Sequence, residues 1–282
     1  MVTTNDQLKQ EWELPFPLAA AHVQAYQDRG VAKIPKVFSA ATVELLRREV
    51  VANVTRLGSS IDNENKKEEY PSEDVDLYRK AFTQVFNLWT HSELIRSFVV
   101  GRLARIAAEL MGVSGVRVYH DQALFKEAGG GATPWHVDHY YWPLATEKVL
   151  TAWVPLVAIT PDMGPLDFAL GSHKINYSRD TEMIQLDESI TEARLAEANC
   201  PVAKAPYEVG EVSFHEGWTL HRAGANHTDR CREVLTVIYM DQDMTLQQPA
   251  NSNQEYDRQK WCPGVPVGAV IDSEINLAIS HG

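Results

Sequence analysis

Val149-Leu-Thr-Ala-Trp-Val-Pro-Leu-Val-Ala-Ile159 is the run that sets the fold class, because it is short and dominated by β-branched and aromatic residues. Runs of the same kind flank it: Val116-Arg-Val-Tyr119, Ala123-Leu-Phe125 and Leu166-Asp-Phe-Ala-Leu170. Turn signals separate them at Gly129-Gly-Gly131, Asp162-Met-Gly-Pro165 and Gly171-Ser172. Repeated short strands with this punctuation predict a β-sandwich or barrel beginning near Val113. After a polar, helix-forming insert over 176–199, strands return at Glu211-Val-Ser-Phe-His215 and Glu233-Val-Leu-Thr-Val-Ile-Tyr-Met240. The tail, 241–282, reads as irregular.

Upstream, residues 1–112 read as a helical support region. Pro17 to Tyr26 holds helix formers without a breaker, and Ser39 is an N-cap candidate for a helix with Val43, Leu46 and Val50 on one stripe. Ser92 to Met111 reads as one helix stopped by Gly112. Gly58 to Asp76 is polar and charge-rich, which predicts a surface loop. The economical organisation is a single domain, 1–282, mainly β with flanking helices packed outside a β core at 113–240.

Composition narrows the partners. The 38 acidic residues against 26 basic ones give a net charge of −12, which argues against a nucleic-acid or anionic-membrane partner. The first sixteen residues lack the basic-then-apolar pattern of a secretory signal. The most apolar long window, Leu94 to Val113, carries Arg96, Arg102, Arg105 and Glu109 and is unsuited to crossing a bilayer. Cys200, Cys231 and Cys262 are odd in number and scattered, so they read as free thiols in a reducing compartment, with the cytoplasm as the expected location.

The chemistry concentrates in Thr133-Pro-Trp-His-Val-Asp-His-Tyr-Tyr-Trp-Pro143. On an extended strand, His136 and Asp138 project to the same face. An imidazole beside a carboxylate supplies two corners of the 2-His-1-carboxylate triad that holds iron(II) on one octahedral face. Alone, that pair is common as a surface hydrogen-bonded couple. His221, in Glu216-Gly-Trp-Thr-Leu-His221, supplies a third corner, and Arg232 on the next strand suits the far carboxylate of a 2-oxo acid. His215 competes with His221 as third ligand. His139 points to the other strand face, which suggests a structural or substrate role and not ligation, and His173 reads as a loop hydrogen-bonding residue. His215-Glu216 is not followed by a second His at zincin spacing. The aromatic residues Phe125, Tyr140, Tyr141 and Trp142 flank the site and divide between core packing and a substrate wall, with Trp142 a candidate pocket floor.

With these residues in order, the sequence resembles the phytanoyl-CoA dioxygenase family of iron(II)/2-oxoglutarate oxygenases, from about Val31 to Met240. The carrying motifs are Phe86-Asn-Leu-Trp89, Asp121-Gln-Ala-Leu-Phe-Lys126, Thr133 to Asp138, Thr151-Ala-Trp-Val-Pro-Leu156, Asp162 to Phe168, Gly171-Ser-His-Lys174 and Leu220-His-Arg-Ala-Gly-Ala-Asn226. The resemblance implies a double-stranded β-helix (jelly roll, cupin-like) and iron ligands at His136, Asp138 and His221. It also implies that Arg232 and Trp153 bind 2-oxoglutarate, with Gln122 and Thr133 at contact positions. Iron(II), 2-oxoglutarate and O2 would together oxidise a small organic molecule by hydroxylation, desaturation or cyclisation. Asp138 stands where halogenating relatives have a small residue, which argues against halogenation. Ala223 stands where many members carry a serine for the co-substrate carboxylate. The 176–199 insert lies where relatives place a segment over the barrel mouth, making it a candidate lid. Two other readings stay open: a jelly-roll metal hydrolase or isomerase, which has no need of Arg232, and a non-catalytic β-sandwich binding module.

Overall fold

The computed structural model describes residues 4–64, 83–176, 179 and 188–280. Among them, two antiparallel sheets face each other. The larger runs β1 (Val31–Ile34), β8 (Val212–Glu216), β5 (Val149–Pro155), β10 (Arg232–Asp241), β3 (Gly115–Lys126) and β11 (Ala278–Ser280), with β2 (Thr83–Phe86) also paired to β3. The smaller runs β4 (Thr133–His136), β9 (His221–Ala223), β6 (Leu166–Ala169) and β7 (Val202–Lys204). This is the expected jelly-roll arrangement.

Strand alternation divides the large sheet into two faces. Phe214, Leu235, Val237, Ala123 and Val154 point outward into a core shared with the helices. That core is covered by α1 (Asn5–Glu13), α2 (Ala20–Arg29), α3 (Ala40–Glu64), α4 (Glu93–Val100) and α5 (Arg102–Met111). Val43, Leu46 and Val50 are buried as the stripe predicted, and the Ser39 hydroxyl accepts from the Thr42 amide at 3.3 Å. The inner face carries the polar residues of the site.

Five sequence expectations need correction. The N-terminal region is not purely helical, because β1 and β2 are strands of the large sheet, and Phe86 ends β2. Both are four residues long, too short to show a period, and exist because β8 and β3 offer paired edges. The two strand runs at Val116 and Ala123 are one twelve-residue strand, β3. The helix predicted over 92–111 breaks at Gly101, where a Cβ would collide with the Trp12 carbonyl oxygen. The α3 helix runs on through Gly58 to Glu64, where a loop was expected; residues 65–76 of that expectation lie outside the described residues. Finally, the tail forms α7 (Ser252–Trp261), capped where the Asn251 side chain accepts from the Gln254 amide at 2.9 Å, and β11, which pairs with β3. Among the described residues no helix is long and apolar enough to cross a membrane.

Part of the insert is anchored. Residues 177–178 and 180–187 lie outside the described residues. The helix α6 (Glu188–Glu197) that follows buries Leu195 against Trp135 and Leu220. Arg222, beside His221, donates to Glu192 at 2.9 Å and to Asp167 at 3.2 Å, tying α6 to the small sheet.

Candidate metal and co-substrate site

β4 and β9 pair with His136 directly opposite His221. Two imidazoles facing each other across an antiparallel pair fall on the same sheet face, and their ring centroids lie 4.2 Å apart. Val137 continues the extended backbone, but Asp138 already opens a short 3-10 turn, Asp138–Tyr141. The carboxylate therefore arrives from the strand end rather than from a strand interior. The nitrogen and oxygen donors of His136, Asp138 and His221 all lie within 4.8 Å of one another.

Each donor is held by a partner on its far side. His136 Nδ1–H donates to the Pro134 carbonyl at 2.8 Å, and His221 Nδ1–H donates to the Thr219 carbonyl at 2.9 Å. Both rings thus present a bare Nε2. Asp138 Oδ2 accepts from the Thr151 hydroxyl at 2.8 Å and from His215 Nε2 at 3.2 Å. Its Oδ1 lies 3.8 Å from His136 Nε2 and 3.6 Å from His221 Nε2. Two neutral imidazoles and one carboxylate oxygen, each oriented from behind, fit iron(II) with open positions on the far side. Burial lowers His136 and His221 to about 4, His136 further through His221 and His221 through His215, which keeps both neutral as ligands must be. Burial alone would raise the Asp138 carboxyl, but the imidazoles of His221, His215 and His136 hold it well below the usual carboxylate range. His215 thus bonds the Oδ2 side of Asp138 and stands outside the three-donor cluster.

Arg232 is 2% exposed, and among the described residues no carboxylate pairs with it. Its Nη1 donates to the Gly164 carbonyl at 2.6 Å, while Nε is buried without a partner. Gly164 has a φ of +71°, and a Cβ there would strike the Gly224 carbonyl oxygen, so this turn is restricted to glycine. The guanidinium stands 5.7 Å over the Trp153 ring. Directly across the β10–β3 ladder from Arg232 is Lys126, fully buried, donating to Gly131 and Gly224 carbonyls at 2.7 and 2.9 Å. Burial, with Arg232 alongside, lowers Lys126 to about 7, and burial lowers Arg232 to about 10. Two adjacent buried cations without an acidic partner are costly unless an anion joins them. Thr133 pairs with Ala223 across β4 and β9, and its buried hydroxyl lacks a partner.

The other sequence candidates divide. Gln122 lies on the inner face of β3, accepting from Gln84 Nε2 at 3.0 Å. Phe125 faces the opposite way, in the core against the helices, because β3 alternates; it is not a wall of the site. Trp142 is 5% exposed and packs with Tyr119, Val149 and Ile238, which favours its packing reading over a pocket floor. Tyr140 is partly buried and packs on the cluster of Trp135, Leu195 and Leu220. His139 stacks on Trp218 at 4.6 Å and stands outside the donor cluster, and His173 bonds the Gln27 carbonyl at 3.2 Å. Lys126, Thr151 and Gln84 were missed. Extending the strand period from Gln122 by four residues would have found Lys126; Thr151 and Gln84 left no signal of their own.

Residues 26–234 match the family model described as Phytanoyl-CoA dioxygenase (PhyH). A "Probable alpha-ketoglutarate-dependent hypophosphite dioxygenase" of Stutzerimonas stutzeri is 27% identical over 79% of this chain and 79% of its own length. The "Ectoine dioxygenase" of Stutzerimonas stutzeri (strain A1501) is 25% identical over 83% of this chain and 80% of its own. The crystal structure of the carbocyclase SnoK from nogalamycin biosynthesis superimposes with a TM-score of 0.74 at 24% identity, covering 95% of this chain and 100% of that one.

Proposed function

Because this chain belongs to the phytanoyl-CoA dioxygenase family, we propose that His136, Asp138 and His221 hold iron(II), that Arg232, Lys126 and Thr133 hold the distal carboxylate of 2-oxoglutarate beside Trp153, and that a C–H bond of a small organic substrate is oxidised between them. The chain is an iron(II)- and 2-oxoglutarate-dependent dioxygenase acting on small molecules. The observation that carries the residue assignment is a pair of buried, uncompensated cations on the large sheet, within a fold whose small sheet carries a three-donor metal cluster. A hydrolase or isomerase on this fold would have no use for them.

When bound, iron with 2-oxoglutarate and O2 supplies the oxidising power, with succinate and CO2 as co-products. The chain's own residues do the rest. Thr151 and His215 fix one Asp138 oxygen so that the other is aimed between the imidazoles. Arg232 offers a planar fork, and Trp153 covers it from solvent, which strengthens its attraction for a carboxylate. Anaerobic addition of iron(II) and 2-oxoglutarate to the protein should give the visible charge-transfer band of the chelate. Absence of the band in protein that retains iron would overturn the co-substrate assignment.

Two predictions follow from the anion end. The Thr133 hydroxyl occupies the place opposite Ala223 and replaces the serine hydroxyl found in many relatives. Thr133→Val should weaken 2-oxoglutarate binding about tenfold, the loss of a hydrogen bond to a charged group. Ala223→Ser in the same variant should restore most of it. Equal affinity in wild type and Thr133→Val would sink the assignment.

The second concerns pH. In the anion-free site Lys126 titrates near 7 because burial disfavours its charge. A bound carboxylate favours the protonated amine, so binding takes up a proton above that pH and weakens as pH rises. Between about pH 7 and 8.5 the dissociation constant should climb several-fold, by the usual limit of tenfold per pH unit for one proton. Lys126→Met should bind more weakly and lose this slope. Titration of the charge-transfer band at several pH values reads both; a flat wild-type profile would count against Lys126.

A further inference from the structure

The inner face of β3 carries a fourth residue in phase with Lys126, Leu124 and Gln122, namely His120. It is 5% exposed, and its Nδ1 is buried without a hydrogen-bond partner. Two strand pairings lead from it to the support of the metal cluster: His120 pairs with Ile238, Ile238 with Thr151, and Thr151 holds Asp138. Nothing in the metal or co-substrate assignment uses it. A buried imidazole nitrogen left without a partner is destabilising, and such a group needs a ligand or a reason.

Its surroundings are specific. Trp261 of α7 lies over the imidazole at 4.7 Å, and Phe86 of β2 meets it edge-on at 5.7 Å. Phe86 and Gln84 sit on the face of β2 that continues the Leu124 and Gln122 face of β3. The wall thus joins ring faces to neutral hydrogen-bonding groups: one imidazole and the Gln84–Gln122 amide pair. Burial lowers His120 to about 3, so the ring is neutral despite the Asp138 charge nearby. Lys260 stands 5.2 Å over Phe86 and 5.1 Å over Trp261, with its amine donating to the Tyr256 hydroxyl. A positive charge there discourages a cationic substrate on these ring faces.

We propose that His120 is a substrate-binding residue, and that the substrate is a neutral ring compound carrying a hydroxyl or carbonyl oxygen that hydrogen-bonds the imidazole. The hydrocarbon ring packs on Phe86 and Trp261, and the amide pair meets a second oxygen. The barrel's two buried cations are taken by 2-oxoglutarate, so this wall offers no buried charge to a small inorganic anion such as hypophosphite. This inference rests on the iron and 2-oxoglutarate assignment above.

The test uses the iron(II)–2-oxoglutarate chelate band under anaerobic conditions, with cyclohexanol, tetralone and hypophosphite as probes. The band itself, before any probe, reports whether the underlying assignment stands and whether each variant is folded. In wild type, cyclohexanol or tetralone should perturb the band and hypophosphite should not. His120→Phe keeps an aromatic ring but removes the nitrogens, so the effective probe should bind about tenfold more weakly, one hydrogen bond's worth. His120→Asn places an amide near the Nδ1 position and should recover most of that loss. A normal band that neither ring compound perturbs, or that hypophosphite alone perturbs, overturns the substrate class. Unchanged probe affinity in His120→Phe overturns the residue's role. Should that variant give no band, the wild-type probe pattern and the His120→Asn affinity still decide.

Discussion

His221→Ala and His136→Ala are each expected to bind no iron at stoichiometric concentration and to show no turnover. Each change removes one of three oriented donors, and the alanine leaves a gap that water fills without the fixed lone pair. The effect on activity should be total within detection, the largest of any substitution in the chain. His215→Ala distinguishes ligand from support. It removes the 3.2 Å bond to Asp138 Oδ2 but leaves the Thr151 bond at 2.8 Å. Loss of a bond to a ligand's far atom costs about 10–100-fold in metal affinity, so iron should remain at saturating metal. Metal analysis of the three variants side by side checks the assignment. An iron-free His215 variant beside an iron-loaded His221 variant would reverse it. Asp138→Gly should likewise lose iron retention, since the anionic donor goes; full activity in that variant would end the three-donor reading. With Asp138 present, turnover in excess halide should give no halogenated product by mass spectrometry.

The second large effect is at the anion end. Arg232→Leu should raise the dissociation constant for 2-oxoglutarate by about thirtyfold or more, the consequence of about 2–5 kcal/mol for leaving a charge unpaired in a buried site. Iron binding should be unchanged, because Arg232 touches none of the three donors. Arg232→Lys should recover only part, since a point charge lacks the fork that keeps one nitrogen on the Gly164 carbonyl and offers another to the ligand. The removal of Arg232 also relieves Lys126 of a neighbouring positive charge, so the pH profile of the variant should move upward. Chelate-band titration measures all of this at once. An Arg232→Leu protein with wild-type 2-oxoglutarate affinity would refute the role.

Some of this was legible in local sequence. The strands β5, β6, β8 and β10 announced themselves through β-branched and aromatic runs, and His136 and Asp138 stood close enough in the chain for their shared face to be foreseen. Other parts were not legible. β1 and β2 have four residues each and owe their strand form to the edges they pair with. The α7 tail is polar and showed no apolar stripe, yet it buries Trp261 against His120. The need for glycine at the helix break, Gly101, comes from Trp12, nearly ninety positions away in the chain, whose carbonyl comes too close for a side chain.

The sequence by itself determined a β-rich domain with supporting helices, the types of the metal donors, and an arginine on the strand after the distal histidine. These are short-range properties: strand period, turn chemistry and spacing along one or two elements. Only the tertiary structure separated the two candidate histidines, since the His215 ring meets Oδ2 of Asp138 and the His221 ring faces Oδ1. It also decided that Lys126 stands against Arg232, that Thr133 stands opposite Ala223, and that His120 carries a nitrogen without a hydrogen-bond partner. Cross-strand register carries the first two of those facts, and register is fixed by pairing between segments that lie about ninety to a hundred residues apart. A linear pattern holds each strand's own alternation but not its neighbour's offset, and the offset is what assembles this site.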